Sequence, residues 1–221
     1  QRMKTFTLEA IYALHMFNDY SDDLFFLPLP SEEGKTRLEN LHQVLEKGYE
    51  DLGKMGLVID NEPTEECAYY GAFLERYHKA IYHCQVDSNY FCAQETDSNK
   101  WTTTVIKQIG DNQYVIETLH SLVFLAHLKD IHPILKDLEK KRKNYAYYSW
   151  EPFSAFRLQA YYADNEAIRL QTFRRKELLK DSLFLEAPSG LYEFDVAHER
   201  IRSVDGEELR DEIIHDLKVR V

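Results

Sequence analysis

The chain is rich in the side chains that metal and catalytic sites use, with nine histidines and three cysteines. A zinc site needs three or four converging ligands, and a helix usually supplies two of them as histidines four positions apart. His78 and His83 are instead five positions apart, as are His127 and His132. This spacing turns the two rings toward different faces of a helix. The sequence therefore predicts no metal site.

Signatures of nucleotide binding and covalent catalysis are also missing from the sequence. The turn at residues 53–56 contains two glycines and a lysine but lacks the spacing of a P-loop, and no Gly-x-Ser-x-Gly elbow occurs. Cys67, Cys84 and Cys92 lie in helical or strand patterns, as core residues do, and their spacing favours reduced, buried thiols. We therefore predict no catalytic residue and no cofactor, and we expect that the protein is not an enzyme.

Paired carboxylates occur at residues 22–23, 65–66 and 207–208. Each pair lies in a predicted turn or in the first turn of a predicted helix. An acidic residue in that position is stabilised by the helix dipole. The pairs therefore give no indication of acid–base catalysis.

A basic run at residues 140–143 precedes a stretch dense in aromatic side chains, here called the aromatic segment, residues 145–156. Bases could stack on aromatic rings beside a cationic track, which would indicate nucleic-acid binding. The same residues could form a partner-binding loop, or a helix end packed on the core. Protein binding is the interpretation we favour. The predicted partner-binding residues are Tyr145, Tyr147, Tyr148, Trp150 and Phe153.

Hydrophobic spacing predicts the elements that must position these residues. A 3.6-residue period indicates helices, and a continuous apolar run ending in prolines indicates a strand at residues 24–29. The predicted helices cover residues 7–17, 31–52 with Ser31 as N-cap, 64–83, 122–138 with a stop near Pro133, and a charged helix end at 139–143.

From Val86 the period changes to two, which predicts an antiparallel meander up to Leu119. Further strands are predicted at residues 191–196 and 200–204. Asp205 followed by Glu208 has the spacing of a capping box for a last helix. The predicted fold class is α+β, with antiparallel meanders flanked by helices.

The sequence predicts that one unit of structure occurs twice along the chain. Asp111-Asn112 is a turn between two β-rich runs followed by a helical spacing, and Asp164-Asn165 lies in a similar order of patterns. Leu125, in the helical segment of the first copy, aligns with Leu178 in the helical segment of the second copy, residues 174–185. We therefore predict pseudo-two-fold duplication of a hairpin–helix unit in a single domain, 1–221, with halves 1–138 and 139–221.

Composition narrows the function classes. The chain of 221 residues carries a formal net charge of −11, which disfavours nucleic-acid binding because phosphate neutralisation needs clustered cations. No apolar run suits a signal peptide or a membrane span. We expect a cytoplasmic protein without direct membrane insertion, and the sequence leaves its oligomeric state open.

The order of elements in the first third resembles a known family. A short helix containing LEAIYAL, the run LFFLPLP, a long helix closing on GKMGLVID and a helix after Pro63 are similar to the opening of the EspG-type and EsaE-like chaperones of type VII secretion. The resemblance extends in outline over nearly the whole chain. It implies a cytosolic, non-enzymatic chaperone that binds a helical secretion substrate and keeps it competent for export.

Two other function classes remain open at this point. Residues 1–60 alone also fit the start of a winged-helix transcriptional regulator, in which residues 140–143 would contact phosphates. Another non-enzymatic protein-binding module would fit the aromatic segment equally well.

Overall fold

The computed structural model describes residues 3–18, 23–158 and 167–221. In these residues the α-helices are α1 Leu8–Asn18, α2 Arg37–Lys54, α3 Glu65–Lys79, α4 Ser121–Ile131, α5 Ala155–Leu158 and α6 Gly206–Asp216. The strands are β1 Val58–Ile59, β2 Glu62–Pro63, β3 Tyr82–Val86, β4 Tyr90–Glu95, β5 Thr102–Gly110, β6 Gln113–His120, β7 Glu151–Pro152, β8 Ala167–Arg174, β9 Glu177–Ala187, β10 Gly190–Asp195 and β11 Arg200–Val204.

Nine strands form one antiparallel sheet in the order β6-β5-β4-β3-β8-β9-β10-β11-β7, and β1 and β2 form a separate hairpin. The predicted α+β class is confirmed. Among the described residues, no helix has the length and apolar character needed to cross a lipid bilayer.

The chain forms two compact units and passes between them at five points, three of which lie within β4, β5 and β6. The first unit contains Gln1–Ala80, Asn89–Ala93 and Thr104–Thr118, and the second contains Ile81–Ser88, Gln94–Thr103 and Leu119–Val221. The single domain with halves 1–138 and 139–221 stays a prediction.

In the first unit, α1 lies in the core and packs closely against α2. Six consecutive residues of α1, from Ala10 to His15, are buried. Gly48 allows the close approach of α2, because a Cβ atom there would lie 2.1 Å from the carbonyl oxygen of Glu9. The predicted helix at residues 7–17 is confirmed.

The start of α2 differs from the prediction. Thr36, not Ser31, is the N-cap: its hydroxyl accepts a hydrogen bond from the Glu39 amide (3.2 Å), and the Glu39 carboxylate accepts one from the Thr36 amide (3.1 Å). Both halves of a capping box are thus satisfied at Thr36, whereas Gly34 occupies the corresponding position after Ser31. The predicted N-cap is therefore wrong by five residues.

The predicted strand at residues 24–29 is also wrong, because these residues form a turn and an irregular segment. Phe26 has a φ of 70°, which no strand residue adopts. Two core tyrosines donate hydrogen bonds to the segment's carbonyls, Tyr12 to Leu27 and Tyr77 to Phe25. Side chains thereby replace the partners that a β-ladder would have supplied.

Helix α3 has the predicted start but a shorter extent. Its N-cap Thr64 accepts a hydrogen bond from the Cys67 amide at 3.2 Å, and the helix ends at Lys79, before the predicted end at residue 83. Cys84 consequently lies in β3. Cys67, Cys84 and Cys92 are all buried and free, which confirms the prediction of buried thiols.

In the second unit, β8 to β11 form successive antiparallel hairpins. The helical segment predicted at residues 174–185 is wrong, because β9 covers most of it. Where a strand was predicted before Asp164-Asn165, the helix α5 occurs, and the turn itself lies outside the described residues. Leu125 lies in α4 and Leu178 in β9, so the described parts of the two segments do not repeat a hairpin–helix unit.

The remaining predictions of the second unit hold for the most part. Helix α4 is followed by a 3₁₀ turn at Pro133–Leu135, as the predicted stop required. Asp205 caps α6 by accepting a hydrogen bond from the Glu208 amide at 2.8 Å. The charged helix end at residues 139–143 is wrong beyond Lys140, because only a 3₁₀ turn at Leu138–Lys140 is present.

Candidate partner-binding site

The aromatic segment runs along the last long strand of the sheet. It contains a 3₁₀ turn at Tyr145–Tyr147, then β7, then α5. β7 pairs with β11 through only two residue pairs, and it lies at the end of the strand order. The segment therefore forms the border of the sheet in the second unit.

Asn144 fixes the start of the segment through both its backbone and its side chain. Its amide donates to Ser203 Oγ at 2.7 Å, and its side-chain nitrogen donates to the Tyr192 hydroxyl at 2.7 Å. Its side-chain oxygen accepts a hydrogen bond from the Ala146 amide at 3.0 Å, which caps the 3₁₀ turn. These bonds hold the turn against the sheet.

Three of the predicted residues face inward in part. Tyr147 and Phe153 are half-buried and pack on a small apolar cluster of the second unit. Tyr147 makes an edge contact with Tyr192, with 5.7 Å between ring centroids. Trp150 is half-buried under two guanidinium groups, with Arg200 at 4.5 Å and Arg202 at 4.8 Å from its ring centre. These rings anchor the segment.

Three other aromatic side chains of the segment face solvent. The exposed fractions of Tyr145, Tyr148 and Phe156 are 79%, 64% and 85%. Tyr145 and Tyr148 stack with their planes 9° apart, and the ammonium group of Lys143 lies 4.7 Å from the Tyr148 ring centre. Phe156 therefore does not pack into a core.

A small apolar cavity of about 70 Å³ lies beside the anchored rings. Tyr147 and Phe153 form one side of it, and Leu185 and Ile201 contribute to the rest. The described geometry therefore brings together exposed rings, anchored rings and an apolar recess within one short segment. All five predicted residues belong to it, although only Tyr145 and Tyr148 are well exposed.

A partly buried ionic network joins the strands next to the segment to helix α6. Arg202 donates to the Glu193 carboxylate at 2.8 Å and to Glu212 at 2.6 Å, and Ser182 Oγ donates to Glu193 at 2.9 Å. Lys180 lies 3.0 Å from Glu212 and 2.7 Å from Asp216. Because Arg202 also lies over the Trp150 ring, the network helps to hold one anchor of the segment in place.

The two glutamates of this network have opposite protonation tendencies. Burial, with the hydrogen bond that the protonated carboxyl group donates to Glu212, raises the pKa of Glu193 to about 7. Burial also disfavours the Glu212 carboxylate, but the hydrogen bonds that it accepts from Glu193 and Lys180 lower its pKa overall. Such a pair could exchange a proton, but Glu193 is only 2% exposed. In the structure, the network links side chains of β9, β10, β11 and α6.

His132 forms a second buried polar contact in the same unit. Its Nδ1 lies 2.8 Å from the carbonyl oxygen of Leu128, and its Nε2 lies 2.7 Å from the Asp87 carboxylate. Both ring nitrogens thus face acceptors, and only the protonated imidazole can donate to both. Although burial opposes the charge, the hydrogen bond and charge of Asp87 raise the pKa of His132.

Sequence reasoning missed these two polar groups. Glu193 lies between Tyr192 and Phe194 in β10, whose central residues are all buried. An acidic residue between two aromatic residues of a predicted strand could have indicated a buried carboxyl group. His132 gave no such signal, because its partner Asp87 is far away in sequence.

The basic residues at 140–143 do not form an open cationic track. Lys141 lies 2.9 Å from Glu186, and Lys143 lies 2.6 Å from Glu208. Lys140 lies 3.8 Å from Asp137. Acidic neighbours thus neutralise these cations, which weakens their attraction for phosphate.

Within residues 3–18, 23–158 and 167–221, no group of three or more His, Cys, Asp or Glu side chains is placed to hold a metal ion. No family model matches the chain, and no curated protein matches it.

Proposed function

We propose that this protein is a non-enzymatic chaperone or adaptor that binds a helical secreted protein through the aromatic segment. The observation that carries the proposal is the exposure of Tyr145, Tyr148 and Phe156 on a segment that is otherwise anchored. Large exposed aromatic groups clustered in one place are typical of protein-binding surfaces.

The anchored part of the segment favours binding over simple exposure. Tyr147, Trp150 and Phe153 hold the backbone, so the exposed rings lose little freedom when a partner arrives. Preorganisation of this kind lowers the entropic cost of association. Phenol, indole and phenyl groups supply contact area rather than bond-breaking chemistry, which agrees with a binding role.

A helical partner suits this surface. An amphipathic helix presents apolar side chains at intervals of three and four residues, and one of them could enter the recess beside Tyr147 and Phe153. The exposed rings of Tyr145 and Tyr148 would then cover the flanking turns of that helix. The type VII system, a cytoplasmic location and the role as export chaperone follow from the family resemblance and are part of the proposal.

The transcriptional regulator is the weaker alternative. It requires residues 140–143 to contact phosphates, whereas Lys141 and Lys143 are each paired with a glutamate. A gel-shift measurement at low salt separates the two functions. The chaperone proposal predicts no shift of duplex DNA.

Site-specific photo-crosslinking in native cells tests the proposed function directly. A photoreactive phenylalanine analogue replaces Tyr148 in one strain and Tyr69 in another, because Tyr69 is a similarly exposed tyrosine of the first unit. We expect a helical secreted protein to crosslink at position 148 and not at position 69. A crosslink at position 69 alone would move the binding site to the first unit, and a non-secreted or non-helical product at 148 would refute the chaperone role.

A further inference from the structure

The β8–β9 hairpin ends in an unusual cluster of exposed side chains, here called the hairpin tip, residues 174–179. All six residues of the hairpin tip are exposed. Three consecutive cations, Arg174, Arg175 and Lys176, are followed by one acid and two leucines. The hairpin tip thus combines a net charge of two positive units with apolar surface in a chain whose net charge is −11.

The turn itself uses residues that its geometry disfavours. Arg174 pairs with Glu177, so the loop consists of Arg175 and Lys176, whose φ angles are 50° and 66°. A two-residue turn with both φ angles positive favours Asn and Gly, because other side chains crowd the backbone there. The backbone geometry of the turn therefore does not explain two long cationic side chains at these positions.

The hairpin β1–β2 shows the more usual solution in the same chain. Its two loop residues, Asp60 and Asn61, have φ angles of 52° and 62°. The chain thus builds the same kind of turn elsewhere from residues that tolerate it. This contrast indicates that the cations of the hairpin tip are present for a reason other than turn formation.

A β-bulge next to the turn exposes the two leucines together. Thr172 pairs with Lys180 and Phe173 pairs with Leu178, so Leu179 is the extra residue of β9. In a regular strand, adjacent side chains point to opposite faces. Here Leu178 and Leu179 are 48% and 60% exposed, so both present apolar surface beside the cations.

We propose that the hairpin tip binds an anionic membrane surface peripherally. The three cations would attract anionic lipid headgroups, and the two leucines would enter the boundary between headgroups and acyl chains. A narrow two-residue turn can enter a deformable lipid layer, whereas it offers no concave surface to an acidic protein. Phosphates of a nucleic acid would leave the leucines without an apolar partner, which favours the membrane.

The negative charge of the rest of the chain does not prevent such a contact. Charges farther away than the Debye length, about 8 Å at physiological ionic strength, are largely screened. Lys218 adds a further cation at this end of the sheet, because it lies over the ring of Tyr82, the residue that pairs with Arg174. The local charge therefore decides the interaction, and the binding should weaken as salt is added.

Co-sedimentation of the full chain with vesicles tests the proposal. One set of vesicles contains phosphatidylcholine alone, and the other also contains phosphatidylglycerol. The key variant is Arg175→Asn with Lys176→Gly, which supplies the residues that the turn prefers. We expect the unchanged chain to bind only the anionic vesicles. The variant should bind them about tenfold or more weakly, with a melting temperature that is equal or higher.

Two further variants complete the experiment. Lys54→Asn with Lys140→Asn removes the same amount of charge from exposed cations elsewhere and should leave vesicle binding unchanged. Leu179→Thr should weaken binding several-fold without a loss of charge. Equal binding by the unchanged chain and the turn variant would overturn the proposal. Soluble polyglutamate that competes as effectively as anionic vesicles would also overturn it, because this result would indicate an acidic protein partner. A failure of the unchanged chain to bind anionic vesicles would overturn it as well.

Discussion

At the scale of single residues, His132 makes the stability of the second unit depend on pH. The charged imidazole donates to both the Leu128 carbonyl and Asp87, and its pKa is raised above the ordinary value of 6.5. A raised histidine pKa stabilises the fold fully below pH 6.5, and this stabilisation is lost as pH rises through the raised pKa. We expect the free energy of unfolding to fall over this upper range.

The variant Asp87→Asn provides the matched control. Its amide can donate to a neutral Nε2 while its oxygen keeps the bond from the Arg169 amide, so the pH-dependent fall should become smaller. Denaturant titrations between pH 6 and about 9 measure the effect. An unchanged slope in the variant would show that another group is responsible.

Glu193 causes the free energy of unfolding to fall over a lower pH range than His132 does. Burial raises its pKa from 4.5 to about 7, so the folded state binds a proton that the unfolded state has already released. Its stabilising contribution is complete below pH 4.5 and is lost as pH rises through about 7.

Glu193→Gln tests this assignment. Glutamine resembles the protonated carboxyl group, because it can accept from Arg202 and donate to Glu212. We expect the variant to lose the slope of stability against pH in this range, as measured by thermal unfolding at several pH values. If the stability of the variant depended on pH as steeply as that of the unchanged chain, Glu193 would not be the group responsible.

At the scale of elements, helix packing in the first unit depends on one glycine. Gly48→Ala places a Cβ atom 2.1 Å from the Glu9 carbonyl oxygen, so α1 and α2 must separate. We expect a loss of about 2–3 kcal/mol in the free energy of unfolding, which is typical of overpacking. Urea denaturation measures it.

Gly53→Ala is the control in the same helix. A Cβ atom there meets no other atom within 4 Å, and alanine has the better helix propensity. This variant should be neutral or more stable by up to about 1 kcal/mol. If both variants lost equal stability, a general effect on α2 rather than close packing would be the cause.

Two elements show why local patterns could be misleading. Residues 24–29 have the continuous apolar character of a strand, but Tyr12 and Tyr77 from distant helices bind their carbonyls instead. In β9, the buried residues include Asp181 and Ser182, which are bound by Arg169 and Glu193. Polar residues thus occupy buried positions of β9. The spacing of the leucines, taken alone, resembles that of a helix, which explains the wrong prediction.

Other elements were predictable because their signals are local. Asp205 with Glu208 marked the start of α6, and Pro133 marked the end of α4. The aromatic segment was recognisable from its composition alone. Which of its rings are anchored was not, because that depends on contacts with β10 and β11, far along the chain.

At the scale of the whole molecule, the protein combines an antiparallel sheet with helices in two compact units and a strongly acidic composition. The second unit carries both the aromatic segment and the hairpin tip. These are separate surfaces with different chemistry, one aromatic and one basic with leucines. A protein with both could hold a partner and contact an anionic surface, and each role can fail independently in the experiments above.

In the proposed function, the exposed rings of the aromatic segment bind a protein partner. The partner identified by crosslinking is purified on its own, and titration calorimetry measures its affinity for the unchanged chain and for the double variant Tyr145→Ala, Tyr148→Ala. Because both rings are exposed, we expect the double variant to keep its melting temperature and to bind about tenfold or more weakly. Unchanged affinity in the folded double variant would contradict the claim.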